Sequence, residues 1–470
     1  MLKNILDSYL EIPEYDIKKI LYNPGIINTP FFKKIKIIYA DYIASGLPSP
    51  IIENYIQKKI YPYYSNTHSN AYSGIFMKSI ISNTKKYIRL QFNILDDYQI
   101  IFTGSGTTSA INHLINCIDY SKYTNIIIYL SLYEHYSNHI PWVELSKIHS
   151  NITVKYIPFK NQNQNQAEID IDWLNNSINQ LYQNYLNLNN LNRILLICSI
   201  SACSNINGII NPLDEIKLIL DSYPNSSNFY KYFFVDYACS APYVQINGSI
   251  FDAFYFSPHK FIGGTSTPGI LIGKSCIFSK SKPFCSGGGC VKNASSTIIE
   301  YDTNIEIKES AGTPNIIGII KIKQILKIKS HFKNMINLNE QMIADYIKYK
   351  IKYYEQTYPT FKSVLYNDNV KHLPILSFHL DNLHYNFIVV LFNDLFGIQT
   401  RGGIGCCGLL AEYIEQNYKF RGWCRISFHW LMTKKIIENI FIALEYIIQH
   451  GEQYLKLYQY DDIQNLYNYK

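Results

Sequence analysis

The chain has 470 residues, 47% of them apolar and 17% charged, with a formal net charge of +7. That length exceeds one ordinary core and implies two or three domains, and the apolar content excludes wholesale disorder. The lysines are scattered rather than clustered, so the charge does not point to a nucleic-acid surface.

The ten cysteines form no C-x-x-C pair, which argues against a zinc knuckle or dithiol redox motif, and no metal is expected. The N-terminal MLKNILDSYLEIPEYD carries acids early and lacks the apolar core of a signal peptide, and no apolar run is long enough to span a membrane. The expectation is a cytoplasmic, reducing setting with free thiols.

Residues 1–35 read as one or two helices and a connector, and Lys36–Ala40 (KIIYA) as the first strand. From there to about residue 325, apolar strands alternate with helical patterns: Gln99–Thr103, Asn125–Leu130, Arg193–Ile200, Tyr232–Val235, Phe251–Phe256 and Gly269–Ile272. Such alternation makes βαβ units and a mostly parallel sheet covered by helices. Within Asn161–Asn192, NQNQNQ predicts a surface loop and DWLNNSINQLYQNYL a polar helix. A long helix with a break is predicted from Ile316 to about Tyr354. A smaller αβ unit follows, with strands near Leu373–Leu380 and Trp423–Phe428 and a closing helix, Thr433–Tyr446.

Several segments could carry chemistry. SPHK (Ser257–Lys260) follows an apolar strand and precedes FIGGTSTPG. A lysine partly desolvated at such a strand end has a lowered pKa and a neutral amine able to form a Schiff base, with Ser257 and His259 as phosphate donors beside it. FFVDYA delivers Asp236 to a strand's C-terminal end, where open α/β sheets place their sites and a carboxylate can keep a pyridine nitrogen protonated. IFTGSGTTSAIN reads as strand, glycines and helix N-terminus, a phosphate cradle that is neither a Walker loop nor a dinucleotide fingerprint. GILIGKS and GIGCCG imitate phosphate loops by letter only. His135 follows a strand and could stack on a planar ring. Asn205 lies in a turn, where its amide could bond a phenolate. Arg401 and Arg425 offer bidentate carboxylate recognition, and Cys406 sits on a Gly-flanked loop near them. Taken singly, each of these residues also reads as an ordinary loop or capping residue.

Taken in order, the segments YADYIASG, NTHSN, IFTGSGTTSAIN, YEHYSNHIPW, SNINGIINPL, VDYACSAP, SPHKFIGG, SGGG, ESAGTPN and RGGIGC resemble the class V aminotransferase and cysteine desulfurase family of fold-type I pyridoxal-phosphate enzymes, over about residues 38–450. The resemblance implies an α/β fold: an N-terminal segment, 1–35, packing on the small domain; a large cofactor domain, 36–325, with a mostly parallel seven-stranded sheet; and a small C-terminal α+β domain, 326–470. It implies that Lys260 carries pyridoxal 5'-phosphate, Asp236 pairs with the pyridinium and His135 stacks on the ring. Gly106, Thr107, Thr108, Ser257 and His259 would hold the phosphate, and Thr313 would reach that of the neighbouring subunit of a homodimer. Asn205 would lie near the ring hydroxyl and substrate. Arg425 would bind the substrate carboxylate, with His68 and Arg401 close by. Cys406 occupies the position that accepts sulfur in short-loop desulfurases.

The implied function is removal of sulfur from L-cysteine through a Cys406 persulfide, releasing alanine and requiring a sulfur-acceptor protein. The alternative is an aminotransferase or other pyridoxal-phosphate lyase acting on a different amino acid. A fold kept only as a scaffold is opposed by the intact Lys260 and Asp236. The sequence departs from the family where Cys239 replaces a glutamine and where Ile404 and Gly405 replace histidines before the loop cysteine. It also departs in RGG, and in the extra stretch AEYIEQNYKFRG before Arg425.

Overall fold

The computed structural model describes residues 19–160, 167–187 and 193–470. Seven strands form one sheet: β1 (Tyr98–Thr103), β2 (Asn125–Ser131), β3 (Ile152–Ile157), β4 (Ile194–Ser201), β5 (Phe229–Asp236), β6 (Ala253–Phe256) and β7 (Gly269–Lys274). Their spatial order is β1-β7-β6-β5-β4-β2-β3. Only β7 runs antiparallel to its neighbours, β1 and β6, and the other pairings are parallel. The central strand β4, ILLICSIS, is buried along its whole length, as a parallel strand covered on both faces must be. Side-chain alternation divides it: Leu196 and Cys198 join the core on one face, Leu195 and Ile197 the core on the other.

Helices cover both faces. α1 (Gly106–Cys117) and α2 (Tyr136–Ile148) pack Ile111, Leu114 and Trp142 with Leu195 and Ile197. α3 (Ile171–Asn187) and α4 (Ile316–His331) supply Leu174, Ile178, Ile316 and Ile320 to the opposite face. The predicted break in the long helix falls at Phe332, which caps α4 before α5 (Lys333–Thr357) begins.

A second, antiparallel sheet contains β8 (Phe361–Ser363), β9 (Ile375–Leu380), β10 (Arg401–Gly403) and β11 (Trp423–Ser427), in the order β8-β9-β11-β10. Its core joins Leu376, Phe378 and Ile426 to Phe387 and Leu391 of α6 (Tyr385–Phe396) and to Ile440 and Leu444 of α8 (Lys434–His450). Between the last two strands lies α7 (Gly408–Tyr418).

Several expectations need adjustment. KIIYA is not one strand of the large sheet: Ile35–Lys36 pairs with Ile26–Ile27, and Ile38–Tyr39 pairs in parallel with Ile398–Gln399. The edge strand β3 was not foreseen, because ITVKYI mixes exposed and buried positions. GILIGKS is strand β7, as its apolar run implies. The predicted polar helix is α3, whereas NQNQNQ, residues 188–192 and the first 18 residues of the segment 1–35, read as one or two helices and a connector, lie outside the described residues. Among the described residues no helix is long and apolar enough to cross a membrane.

One buried knot ties α1 to the chain that returns toward α4. Glu309 Oε2 accepts from His113 Nε2 at 3.0 Å, the Phe284 N–H at 3.0 Å and the Cys117 thiol at 3.5 Å. Burial alone would raise the Glu309 pKa, but the His113 and Phe284 bonds, with His113 and Lys308 acting through charge, hold it below its ordinary value. A depressed carboxylate pKa stabilises the fold at neutral pH, and the contribution fades as pH falls through the folded-state value. Glu309→Gln should therefore destabilise the protein at pH 7 by about 1–3 kcal/mol. Urea midpoints should show that deficit at pH 7 and its shrinkage in acid.

Candidate active site

Adjacent parallel strands β5 and β6 end at the same edge of the large sheet, with Asp236 opposite Tyr255. The strands thus bring Asp236 and the turn Ser257–Lys260 to one point, the carboxyl edge where such sheets place their sites. There they line a cleft of about 240 Å³. Gly106, Thr107, Thr108, His135, Asn205, Arg401, Cys406 and Arg425 also line it. Of the candidates read from the sequence, His68 and Thr313 alone are not in this lining. Asn66 donates to Thr313 Oγ1 at 3.0 Å, and His68 packs near Gly289.

One end of the cleft is built for an anion. The N-terminus of α1 presents backbone N–H groups and the positive end of the helix dipole. Thr107 N donates to Ser257 Oγ at 2.8 Å, and the two hydroxyls lie 2.7 Å apart. Thr108 Oγ1 pairs with Ser137 Oγ at 2.6 Å, and Ser137 Oγ lies 3.0 Å from His135 Nδ1. Gly106 has φ +58°, and a Cβ there would sit 2.7 Å from Ser257 Oγ and 3.0 Å from His259 Cε1. The missing side chain keeps the cradle open.

The floor carries ionisable groups out of water. Asp236 is buried and accepts the Ala238 N–H at 2.7 Å. Burial pushes its pKa up to about 7, with Glu134 adding to the rise and Lys260 opposing it. Lys260 is half-buried, and burial lowers its pKa against the pull of Cys239 and Asp236. His135 and His259 are each lowered to about 4, mainly by burial and then by Lys260. His135 Nδ1 accepts the Ser137 N–H at 3.1 Å, which leaves the neutral ring's proton on Nε2. These residues fit a pyridoxal phosphate: a cradle without a Cβ, a buried acid for a ring nitrogen, and an amine with a depressed pKa.

The opposite wall comes from the small sheet and the loop after β10. Arg401 and Arg425 are direct cross-strand partners. Asp41 bridges them, Oδ1 accepting from Arg425 Nη2 at 2.8 Å and Oδ2 from Arg401 Nε at 2.9 Å. Arg425 Nη1 also donates to the Asn205 carbonyl at 3.0 Å. Cys406 is exposed, with φ +59°, and its carbonyl accepts the Tyr136 N–H at 2.8 Å. Cys407 is buried, and burial pushes its thiol pKa far up. The Asn205 amide is committed to this loop, donating to Gly405 O at 2.9 Å and accepting the Cys407 thiol at 3.0 Å.

Sequence reading missed Asp41, Glu134 and Ser137, although each lies in a quoted segment. Glu134 is fully buried and accepts from Ser131 Oγ, Asn138 Nδ2 and both the N–H and Oγ of Ser201. It thereby fixes the turn that carries His135 to the end of β4. Its available signal was an acid between the apolar strand β2 and the start of α2. Cys239, standing where a glutamine was expected, lines the cleft and donates its thiol to the Cys203 carbonyl at 3.1 Å.

Comparison with known proteins agrees with this architecture. The chain is 28% identical over 439 residues to a probable cysteine desulfurase of Borreliella burgdorferi, covering 90% of this chain and 94% of the relative. It is 29% identical over 451 residues to a cysteine desulfurase of Wigglesworthia glossinidia brevipalpis, covering 92% and 97%. A solved cysteine desulfurase from Thermococcus onnurineus has the same fold, with a TM-score of 0.74 at 20% identity over 88% of this chain and 95% of that one. The fold is accordingly fold type I. The aminotransferase class-V family matches residues 38–440. The chain therefore belongs to the aminotransferase class-V family of pyridoxal-phosphate-dependent enzymes.

Proposed function

We propose that this protein is a pyridoxal-phosphate cysteine desulfurase that removes sulfur from L-cysteine and releases alanine. The observation that carries the reading is Cys406: an exposed thiol lining the same cleft as Lys260, on a loop braced by Tyr136 and Asn205. The division into an N-terminal segment to residue 35, a large domain to 325 and a small domain beyond is supported by two separate sheets, although Ile375 and Trp423 of the small sheet also pack in the large sheet's core.

Lys260 would hold the cofactor through Nζ, its lowered pKa favouring the neutral amine. Gly106, Thr107, Thr108, Ser137, Ser257 and His259 would take the phosphate, Asp236 the ring nitrogen, and His135 a ring face. Bound there, the cofactor supplies an electron sink that stabilises negative charge at the substrate Cα and weakens the Cβ–S bond. Arg401 and Arg425 would orient the substrate carboxylate. Lys260, freed as the substrate amine takes its place, would remove the Cα proton. Cys406 Sγ would then take the sulfur: an S–S bond forms as the Cβ–S bond breaks, the electron pair stays with carbon, and protonation of carbon gives alanine. The outer sulfur of the Cys406 persulfide would pass to a thiol of an acceptor protein, or two external thiols would reduce the persulfide to sulfide, returning the Cys406 thiol and leaving a disulfide between them.

A homodimer completes the proposal. His68 and Thr313 stand outside their own chain's cleft, and Tyr64, Tyr72 and Ile75, close to His68 in sequence, are exposed. Thr313 would serve the phosphate of the neighbouring copy, and a His68 role at substrate would require the same arrangement. The expected location is the cytoplasm.

With L-cysteine and a reducing thiol, the protein should yield sulfide and alanine in equal amounts. Cys406→Ala should cut sulfide release by at least about 100-fold, while Cys407→Ser stays within about threefold, because the buried Cys407 thiol only packs and donates. Unchanged turnover in Cys406→Ala would contradict the reading, and amino transfer to α-keto acids instead of sulfide release would establish the aminotransferase alternative. Gly106→Ala places a Cβ in the phosphate cradle at a backbone angle that costs an L residue about 1–2 kcal/mol. Its Kd for pyridoxal phosphate, followed by absorbance, should rise about tenfold or more.

A further inference from the structure

The two arginines at the substrate end of the cleft are not two free charges. Arg425 is buried and Arg401 half-exposed, and they stand opposite each other on neighbouring strands. Like charges in that register repel. Asp41, itself buried, resolves the conflict by bonding both from behind, and it does not line the cleft. Its place is fixed by the backbone: Asp41 bridges to Ser427 at the end of β11, and Tyr39 Oη donates to the Asp41 carbonyl at 3.1 Å. Arg425 Nε is buried with no hydrogen-bond partner among the described residues.

The charge count at this end is therefore two cations and one hidden anion. The other ionisable groups in the lining do not alter it. In the reading above Lys260 and Asp236 are both taken up by the cofactor, and burial keeps His135 and His259 neutral. One net positive charge matches one carboxylate. A substrate with an acidic side chain would bring a second negative charge into a partly desolvated site that has no cation left for it, where an unpaired charge is costly.

We propose that Asp41 is a specificity-determining residue that cancels one of the two arginine charges, so that the site accepts amino acids with a single carboxylate and rejects those with acidic side chains. The inference rests on the amino-acid-substrate reading above. Asp41 touches no substrate in this scheme; it acts by setting the charge that Arg401 and Arg425 present.

Calorimetric titration of the cofactor-loaded protein with L-alanine and L-aspartate tests it. Wild type should bind L-alanine at least about tenfold more tightly than L-aspartate. Asp41→Asn should raise L-aspartate affinity about tenfold relative to L-alanine, and Asp41→Glu should keep the wild-type ratio. The double variant Asp41→Asn/Arg401→Gln, which restores one net positive charge, should return the ratio to within about threefold of wild type. A merely structural Asp41 would weaken both ligands together in Asp41→Asn and would not be rescued by losing Arg401; that pattern, or a wild-type preference for L-aspartate, overturns the inference alone. If wild type binds neither amino acid, the amino-acid-substrate reading itself fails and the Asp41 role falls with it.

Discussion

Burial of opposite charges where two parallel strands end is the constraint on which the site depends. Asp236 and the turn holding Lys260 leave neighbouring strands at the same edge, and the low-polarity surroundings penalise charge on both. An amine with a lowered pKa and an acid pushed up to about 7 are the groups that the proposed cofactor would engage. That setting exists because β4 and β5 are apolar enough to be covered on both faces. The site's electrostatics are thus set by the packing of the large sheet.

The small sheet adds a different kind of constraint. It places two arginines side by side and then needs a carboxylate from residue 41 to make that arrangement tolerable. The same bridge joins the chain's early segment to the last two strands of the sheet. Arg425 also bonds the carbonyl of Asn205, whose amide in turn clasps the Cys406 loop. The arginine pair proposed to orient the substrate, the Cys406 loop and the seam between the two sheets therefore share one hydrogen-bonded chain of residues.

Much of this was legible in the sequence because it is local. Continuous apolar runs marked the central strands, glycines and hydroxyls marked the anion cradle, and Lys260 and Asp236 each sat at a strand end. The part that was not legible is relational. Asp41 acquires its meaning only by meeting residues more than 350 positions away. Glu134 looks like a turn acid until Ser201 of a different strand is brought against it. The two adjacent cysteines are alike in sequence, yet the left-handed backbone at Cys406 and the start of α7 turn one outward and bury the other. Strand β3 was missed because an edge strand lacks the continuous apolar signature of the interior. Short-range pattern reports elements and their ends, whereas long-range pairing decides which side chains share a charge.

The central claim is that Lys260 holds the cofactor, and its most direct test is chemical. Borohydride reduction of the protein loaded with pyridoxal phosphate, followed by peptide mass analysis, would fix any imine bond in place. The account predicts a phosphopyridoxyl group on the peptide containing Lys260 and on no other. A label on a different lysine, or none in folded protein that shows a cofactor absorbance band, would contradict it.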